Sequence, residues 1–321
     1  MATDPSSPVP DVREQPVTFA ADDDVRLAGI WFDRGENASV PSTAIVIACG
    51  AGIPARFYYR LAQYLASQGA AVLTFDYRGI GASREGSLRN VQGGMDDWAL
   101  RDIGAALKEA RTRYPMVPMS AVAHSVGTLL IGAAPGAARL TRVVFLGAHT
   151  GYWRDYRAKW RLPLYFVWHV LMPTVTKVVG YFPGRALHLG EDLPKQVAMD
   201  WAGRRQPGLI RTAKDEQRFG PSMPRFRDFR AATLALSVSD DAFAPPDAAR
   251  TLLAMYPNLV AARETVTPAS LGCRRLGHFG FLRRPAGEYF WRKTAAWLIP
   301  GVSAGEPAPS DALATGTTAG R

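Results

Sequence analysis

Hydrophobic residues along the chain fall into short runs closed by glycines, separated by stretches with helical spacing. Residues 44–48, Ala-Ile-Val-Ile-Ala, form an uninterrupted apolar run that ends at Cys49-Gly50-Ala51-Gly52. That is the pattern of a fully buried strand delivering the chain into a glycine loop. Strands are predicted in the same way over residues 71–77, 119–124, 142–148 and 233–238, and another near 263–267. Between them, residues 55–68 place Tyr58, Leu61 and Leu65 on one helical face, with Gly69 as a stop. Further helices are predicted over 96–114, from Ser125 to about 134, over 247–255 and over 286–298. Near the N-terminus, residues 16–21 and 25–33 are strand-like on either side of Asp22-Asp23-Asp24, which predicts a hairpin. Strand, helix and strand repeated through tight glycine turns predict a mostly parallel sheet covered by helices on both faces.

The alternation breaks at Gly151. From there to Arg230 the chain is aromatic and basic, with Trp153, Trp160, Trp168 and Trp201 and prolines scattered at 163, 173, 183, 194 and 207 among others. It then resumes, so residues 151–230 are expected to be a helical cap inserted into a core of residues 16–150 and 231–300. The polar lead 1–15 and the small-residue tail 301–321 have the composition of disordered segments.

Composition narrows the picture. A 321-residue chain that is 47% hydrophobic suits one large α/β domain with an insertion. The apolar stretches read as well short of the roughly 18 residues that span a bilayer, so no membrane span is expected. The first residues lack a basic segment followed by an apolar one, and two cysteines are too few for a disulfide framework. The expectation is a soluble cytoplasmic protein. The net charge of +10 is concentrated: residues 151–230 hold 15 Lys or Arg against 7 Asp or Glu. No nucleic-acid-reading motif accompanies them. The expected partner is a small-molecule substrate, anionic or acyl-carrying, and not nucleic acid.

Candidate chemistry concentrates at the ends of predicted strands. Val122-Ala-His-Ser-Val-Gly127 has a strand entering, a serine at the turn, glycine two residues later and a helix leaving. This is the G-x-S-x-G elbow with Ala123 at the first position. Its small residues let a strained turn lift the Ser125 hydroxyl onto a helix N-terminus. Leu276-Gly-His-Phe-Gly280 places His278, alone among five histidines, after the last predicted strand. There it can serve as general base to Ser125. Ser237-Val-Ser-Asp-Asp-Ala-Phe-Ala-Pro245 supplies a carboxylate to orient that histidine. The D-x-x-x-P spacing favours Asp241, while Asp240 suits a turn or cap. The N–H groups of Val126 and of Ala51 in the glycine loop are the expected oxyanion donors. Gly52, His149, Tyr152, Trp153 and Phe279 are the candidate substrate contacts.

Other motifs lead elsewhere. Asp76-Tyr-Arg-Gly-Ile-Gly-Ala-Ser83 lacks the glycine frame and the lysine of a phosphate loop, and reads as a turn held by Asp76 and Arg78. Cys49 has no basic partner in sequence and is not read as a nucleophile. No histidine pair has metal-ligand spacing, and neither a metal nor a cofactor is expected.

Taken together, the elbow, the histidine loop, the aspartate pair and the glycine loop resemble the α/β-hydrolase superfamily. The pattern is similar to bacterial predicted α/β hydrolases near the serine aminopeptidase-like group. Tyr-Tyr-Arg60, Asp-Tyr-Arg-Gly-Ile-Gly81, Gly-Tyr-Trp153, Gly-Glu-Asp-Leu-Pro194 and Gly-His-Phe-Gly-Phe281 extend the likeness. Departures are Ala123 for glycine, Thr128 for a frequent second glycine, and Cys49 where a histidine often stands. The resemblance implies an eight-stranded α/β-hydrolase fold with the cap after the sixth strand and the triad Ser125, Asp241 and His278. It implies hydrolysis of an ester, thioester or amide through an acyl-enzyme. Acyl transfer by the same triad is the main alternative, and a non-catalytic binding protein on this fold the other.

Overall fold

The computed structural model describes residues 12–35, 39–187, 191–204 and 223–304. Eight strands form one sheet: β1 (Arg13–Ala20), β2 (Arg26–Asp33), β3 (Ala44–Ala48), β4 (Ala71–Phe75), β5 (Met119–His124), β6 (Arg142–Leu146), β7 (Ala232–Val238) and β8 (Ala261–Val266). Their order across the sheet is β1-β2-β4-β3-β5-β6-β7-β8. The β1–β2 hairpin and the β2–β4 pair are antiparallel, and every other neighbour is parallel. This is the mostly parallel architecture expected from the alternation of runs.

Burial explains the runs. Strands β3, β4 and β5 are buried at every position, as a sheet covered on both faces requires. At the edges, β1 and β8 are largely exposed and carry Arg13, Glu14, Pro16, Arg263 and Glu264. Charge and proline at a sheet edge discourage pairing with another chain. The first strand begins at Arg13, three residues into the expected lead, because Arg13, Glu14 and Gln15 pair across to Asp33, Phe32 and Trp31. The other residues of the expected lead and tail, apart from Val12 and residues 301–304, lie outside the described residues, as do 205–222 of the expected cap.

Two helices are longer than their regular parts, because π-helical turns are spliced into them. Residues 95–113 run continuously through a π segment at Trp98–Ile103. Between β6 and β7 the helix Ala158–Val179 contains a second, Val167–Leu171. That 22-residue helix is long and apolar enough to cross a membrane by length and composition, and 22% of its most apolar 18-residue stretch is buried. The expectation that no apolar stretch reaches that length is therefore corrected. Lys159, Arg161, Pro163 and Pro173 interrupt the run in sequence, but none of them ends the helix. Helices Lys195–Gly203 and Met223–Asp228 follow before β7. Trp168, Met172, Phe182, Leu193 and Val197 from this segment join the same hydrophobic core as the sheet.

Candidate active site

The C-terminal ends of β5, β6 and β7 converge with the loop after β8. Ser125 follows β5 with φ +56°, a left-handed conformation that is strained for a residue with a side chain. Its N–H donates to the Leu146 carbonyl at 2.9 Å, fixing the turn against β6. Two residues on, a Cβ at Gly127 would stand 2.4 Å from the Ala48 carbonyl oxygen and 2.7 Å from that of Cys49. Backbone on the neighbouring strand therefore dictates the glycine of the elbow. Ala123, in place of the first glycine, is fully buried beside Ala48 and Phe145.

Around this turn the sequence-predicted residues meet. Ser125 Oγ lies 2.9 Å from His278 Nε2, and His278 Nδ1 lies 2.8 Å from Asp241 Oδ2. Asp241 Oδ1 accepts from the N–H groups of Phe243 and Ala244, each at 2.8 Å. Burial alone would raise the carboxyl's pKa. The His278 imidazole and the two amides outweigh that and hold it below its usual value. Asp240 turns the other way: its carboxylate accepts from Leu276 N at 3.0 Å and Gly277 N at 2.9 Å, pinning the loop that carries the histidine. Adjacent aspartates thus divide the work, one facing the imidazole ring and the other the backbone beneath it.

The loop after β3 passes close to the serine, since a Cβ at Gly50 would stand 3.1 Å from Ser125 Cβ. Among the described residues, the N–H groups of Ala51 and Val126 have no hydrogen-bond acceptor. Gly52, at φ +65°, passes under the segment between β6 and β7, where a Cβ would come within 2.9 Å of Glu191 and Leu193.

Two buried histidines that the motifs did not single out as chemistry complete the surroundings. His149, just beyond β6, places Nε2 3.0 Å from Ser125 Oγ, on the same oxygen as His278. His124, before the serine, has Nδ1 2.8 Å from Tyr58 Oη and Nε2 3.2 Å from the His278 carbonyl oxygen. Tyr58 Oη in turn accepts from Gly50 N at 2.9 Å. A chain of hydrogen bonds therefore ties the glycine loop to the backbone of His278. Burial drives both histidines to the neutral form: His124 lies well below the usual imidazole value and His149 falls to about 3, with His278 nearby adding to each shift. The sequence marks His149 as a candidate substrate contact and not as a partner of the serine, and Tyr58 only as a packing position.

Ser125, His149 and His278 open onto a cavity of about 410 Å³. Phe57, Phe243 and Phe279 wall it from the core loops, and Trp168, Met172 and Trp201 from the segment between β6 and β7. Glu191 and Arg283 are the Asp, Glu, Lys or Arg side chains among the described residues of the wall. Of the expected substrate contacts, His149 and Phe279 line the cavity, and Gly52, Tyr152 and Trp153 do not. The chain turns at Gly151, φ +73°, and Trp153 packs edge-on against Tyr165 with ring centroids 5.2 Å apart. Cys49 is buried beneath the loop, and burial pushes its thiol pKa up, opposite to what a nucleophile needs. The Asp76 turn is structural: its carboxylate accepts from Ala55 N at 2.7 Å and Ala82 N at 2.9 Å.

An eight-stranded, mostly parallel sheet with a strained serine at the end of a central strand, a histidine and an aspartate beside it, defines an α/β-hydrolase. Residues 39–258 match the family described as serine aminopeptidase, S33, and the chain belongs to that family. No curated protein matches it in sequence. Among solved structures, an esterase of Pyrococcus furiosus is similar over 89% of this chain and 92% of that one, at 15% identity and a TM-score of 0.56. An esterase domain from Rhodothermus marinus is similar over 89% and 97%, at 16% identity and a TM-score of 0.54. An acylaminoacyl peptidase of Pyrococcus horikoshii is similar over 93% of this chain but 44% of its own, at 11% identity and a TM-score of 0.56. These likenesses establish the fold. The family makes this protein an α/β serine hydrolase.

Proposed function

We propose that the enzyme hydrolyses esters or thioesters of neutral, apolar acyl groups through an acyl-enzyme on Ser125. The observation that carries this reading is the unbroken line from Asp241 Oδ2 through His278 to Ser125 Oγ, at 2.8 and 2.9 Å. In it, Asp241 accepts the Nδ1 proton of His278, which leaves Nε2 bare to take the serine proton as Oγ attacks the carbonyl carbon. The tetrahedral oxyanion forms beside the N–H groups of Val126 and Ala51, which have no acceptor among the described residues. Collapse expels the alcohol or thiol, protonated by His278, and water then repeats the sequence on the acyl-serine. Removing one such donor costs about 2.7–4 kcal/mol of transition-state stabilisation.

The wall of the cavity favours an ester over a peptide N-terminus. Holding a free α-ammonium calls for an available carboxylate, and Glu191 is ion-paired with Arg185. The other charged side chain of the wall, Arg283, is itself a cation; beyond it, Ser125 and the two histidines, the wall is aromatic or aliphatic, and the cavity volume lies within the range of small-molecule sites. The helices between β6 and β7 act in this reading as a cap over the acyl group.

Labelling with a fluorophosphonate probe tests the nucleophile. The wild type is expected to be labelled once, at Ser125, and Ser125→Ala to be unlabelled and reduced in ester turnover by at least about 10³-fold. Equal labelling of the two proteins would overturn the assignment. A panel of p-nitrophenyl esters against aminoacyl p-nitroanilides then tests the substrate class; preference for the anilides would overturn it.

A further inference from the structure

Ser125 Oγ has two imidazole neighbours, at 2.9 Å from His278 Nε2 and 3.0 Å from His149 Nε2. A serine hydroxyl has one proton to give. Asp241 takes the Nδ1 proton of His278, so His278 Nε2 is bare and receives the hydroxyl proton. A bare nitrogen on His149 would then face the same oxygen with no proton between them. The arrangement is satisfied when His149 carries its proton on Nε2 and donates it to Oγ. That tautomer leaves Nδ1 as the bare nitrogen, and Nδ1 is the atom with no hydrogen-bond partner among the described residues. His149 remains neutral at ordinary pH, because burial and the positive neighbours disfavour a second proton.

The mount of this side chain is rigid. Left-handed glycines flank it at Gly147 and Gly151, the adjacent Thr150 carbonyl accepts from Arg204 Nη1 at 2.7 Å, and the Trp201 ring meets its edge with centroids 6.0 Å apart. Nothing in the acid–base sequence at His278 requires such a residue.

We infer that His149 is a second catalytic histidine, a neutral Nε2–H donor to Ser125 Oγ that assists departure of the serine oxygen during deacylation. The inference rests on the acyl-enzyme reading above. In acylation, Oγ is the nucleophile, and a donor on its lone pair restrains attack slightly while holding the hydroxyl proton toward His278. In deacylation the roles reverse. Water loses a proton to His278 Nε2 and bonds to the acyl carbon, the C–Oγ bond breaks, and its electron pair goes to Oγ. That oxygen is stabilised by the His149 hydrogen bond as His278 returns the proton to it. The donor therefore acts where negative charge grows on Oγ, which separates the two half-reactions.

Pre-steady-state hydrolysis of p-nitrophenyl butyrate tests this, with intact-mass detection of the butyryl adduct on Ser125. In His149→Leu, the deacylation rate is expected to fall about ten-fold or more, with acylation changed less than about three-fold and the adduct accumulating. His149→Gln, whose amide N–H reaches the Nε2 position, is expected to recover most of the deacylation rate. His149→Asn, too short to reach, is expected to behave like leucine and provides a second variant should leucine unfold the protein. Equal loss in both half-reactions, or a glutamine variant as slow as the leucine variant, would overturn the role of His149. Failure of the wild type to form any Ser125 adduct would instead overturn the acyl-enzyme reading itself.

Discussion

At the scale of single residues, the neutral histidines link the site to stability. Native His149 resists protonation down to about pH 3, whereas an unfolded imidazole titrates near 6.5. Below that value the unfolded chain binds a proton that the native state refuses. The folded state is therefore fully favoured above pH 6.5 and loses stability as pH falls toward 3, by about 1.4 kcal/mol per unit for each such histidine. Unfolding free energies measured in denaturant at pH 7.5 and 4.5 should fall by about 2–3 kcal/mol more in the wild type than in His149→Gln, because His124 and the buried carboxylates titrate in both and cancel. Equal losses would show that His149 is not held neutral. Ser125, Asp241 and His278 were legible because each sits in a local motif that backbone geometry forces on the sequence. The Gly50–Tyr58–His124 chain was not, since its members lie on separate elements and only the order of the sheet assembles them.

At the scale of elements, buried strands announced themselves and polar or interrupted elements did not. The inner strands β3 to β7 are mostly apolar runs because both faces are covered, but the edge strand β8 carries Arg263 and Glu264, and β1 starts at charged residues whose pairing depends on β2. The helix Ala158–Val179 shows the same limit: its prolines and cations divide the apolar pattern, while the backbone continues through a π turn that carries Trp168 into the cavity wall. The elbow is the element where sequence and geometry agree most tightly. Gly127→Ala would push a methyl group against the Ala48 and Cys49 carbonyls, neither of which is a flexible side chain. The cost should be about 2–3 kcal/mol, read as a fall in melting temperature of roughly 4–10 °C. Labelling of Ser125 should drop with it. An unchanged melting temperature would show that β3 can yield.

At the scale of the molecule, the chemistry and the selection of substrate reside in different parts of the chain. Ser125, Asp241 and His278 stand on loops anchored by the sheet, whereas Trp168, Met172 and Trp201 come from the helices between β6 and β7. Residues of the first kind answer to a reaction shared across the fold. Those of the second line the cavity, and this explains why the motifs read from sequence pointed to the class of enzyme and left its substrate open. The division has a measurable consequence. Trp168 contributes its ring to the cavity wall without a hydrogen bond to the triad, so Trp168→Ala should lengthen the pocket and leave the reacting groups in place. Across p-nitrophenyl esters of increasing chain length, the optimum in kcat/KM should move to longer chains. Each newly buried methylene contributes about 0.8 kcal/mol, or roughly four-fold. The rate of fluorophosphonate labelling, which reports the triad alone, should change less than about three-fold. A variant that loses labelling together with esterase activity, at an unshifted optimum, would place Trp168 in support of the catalytic loops instead.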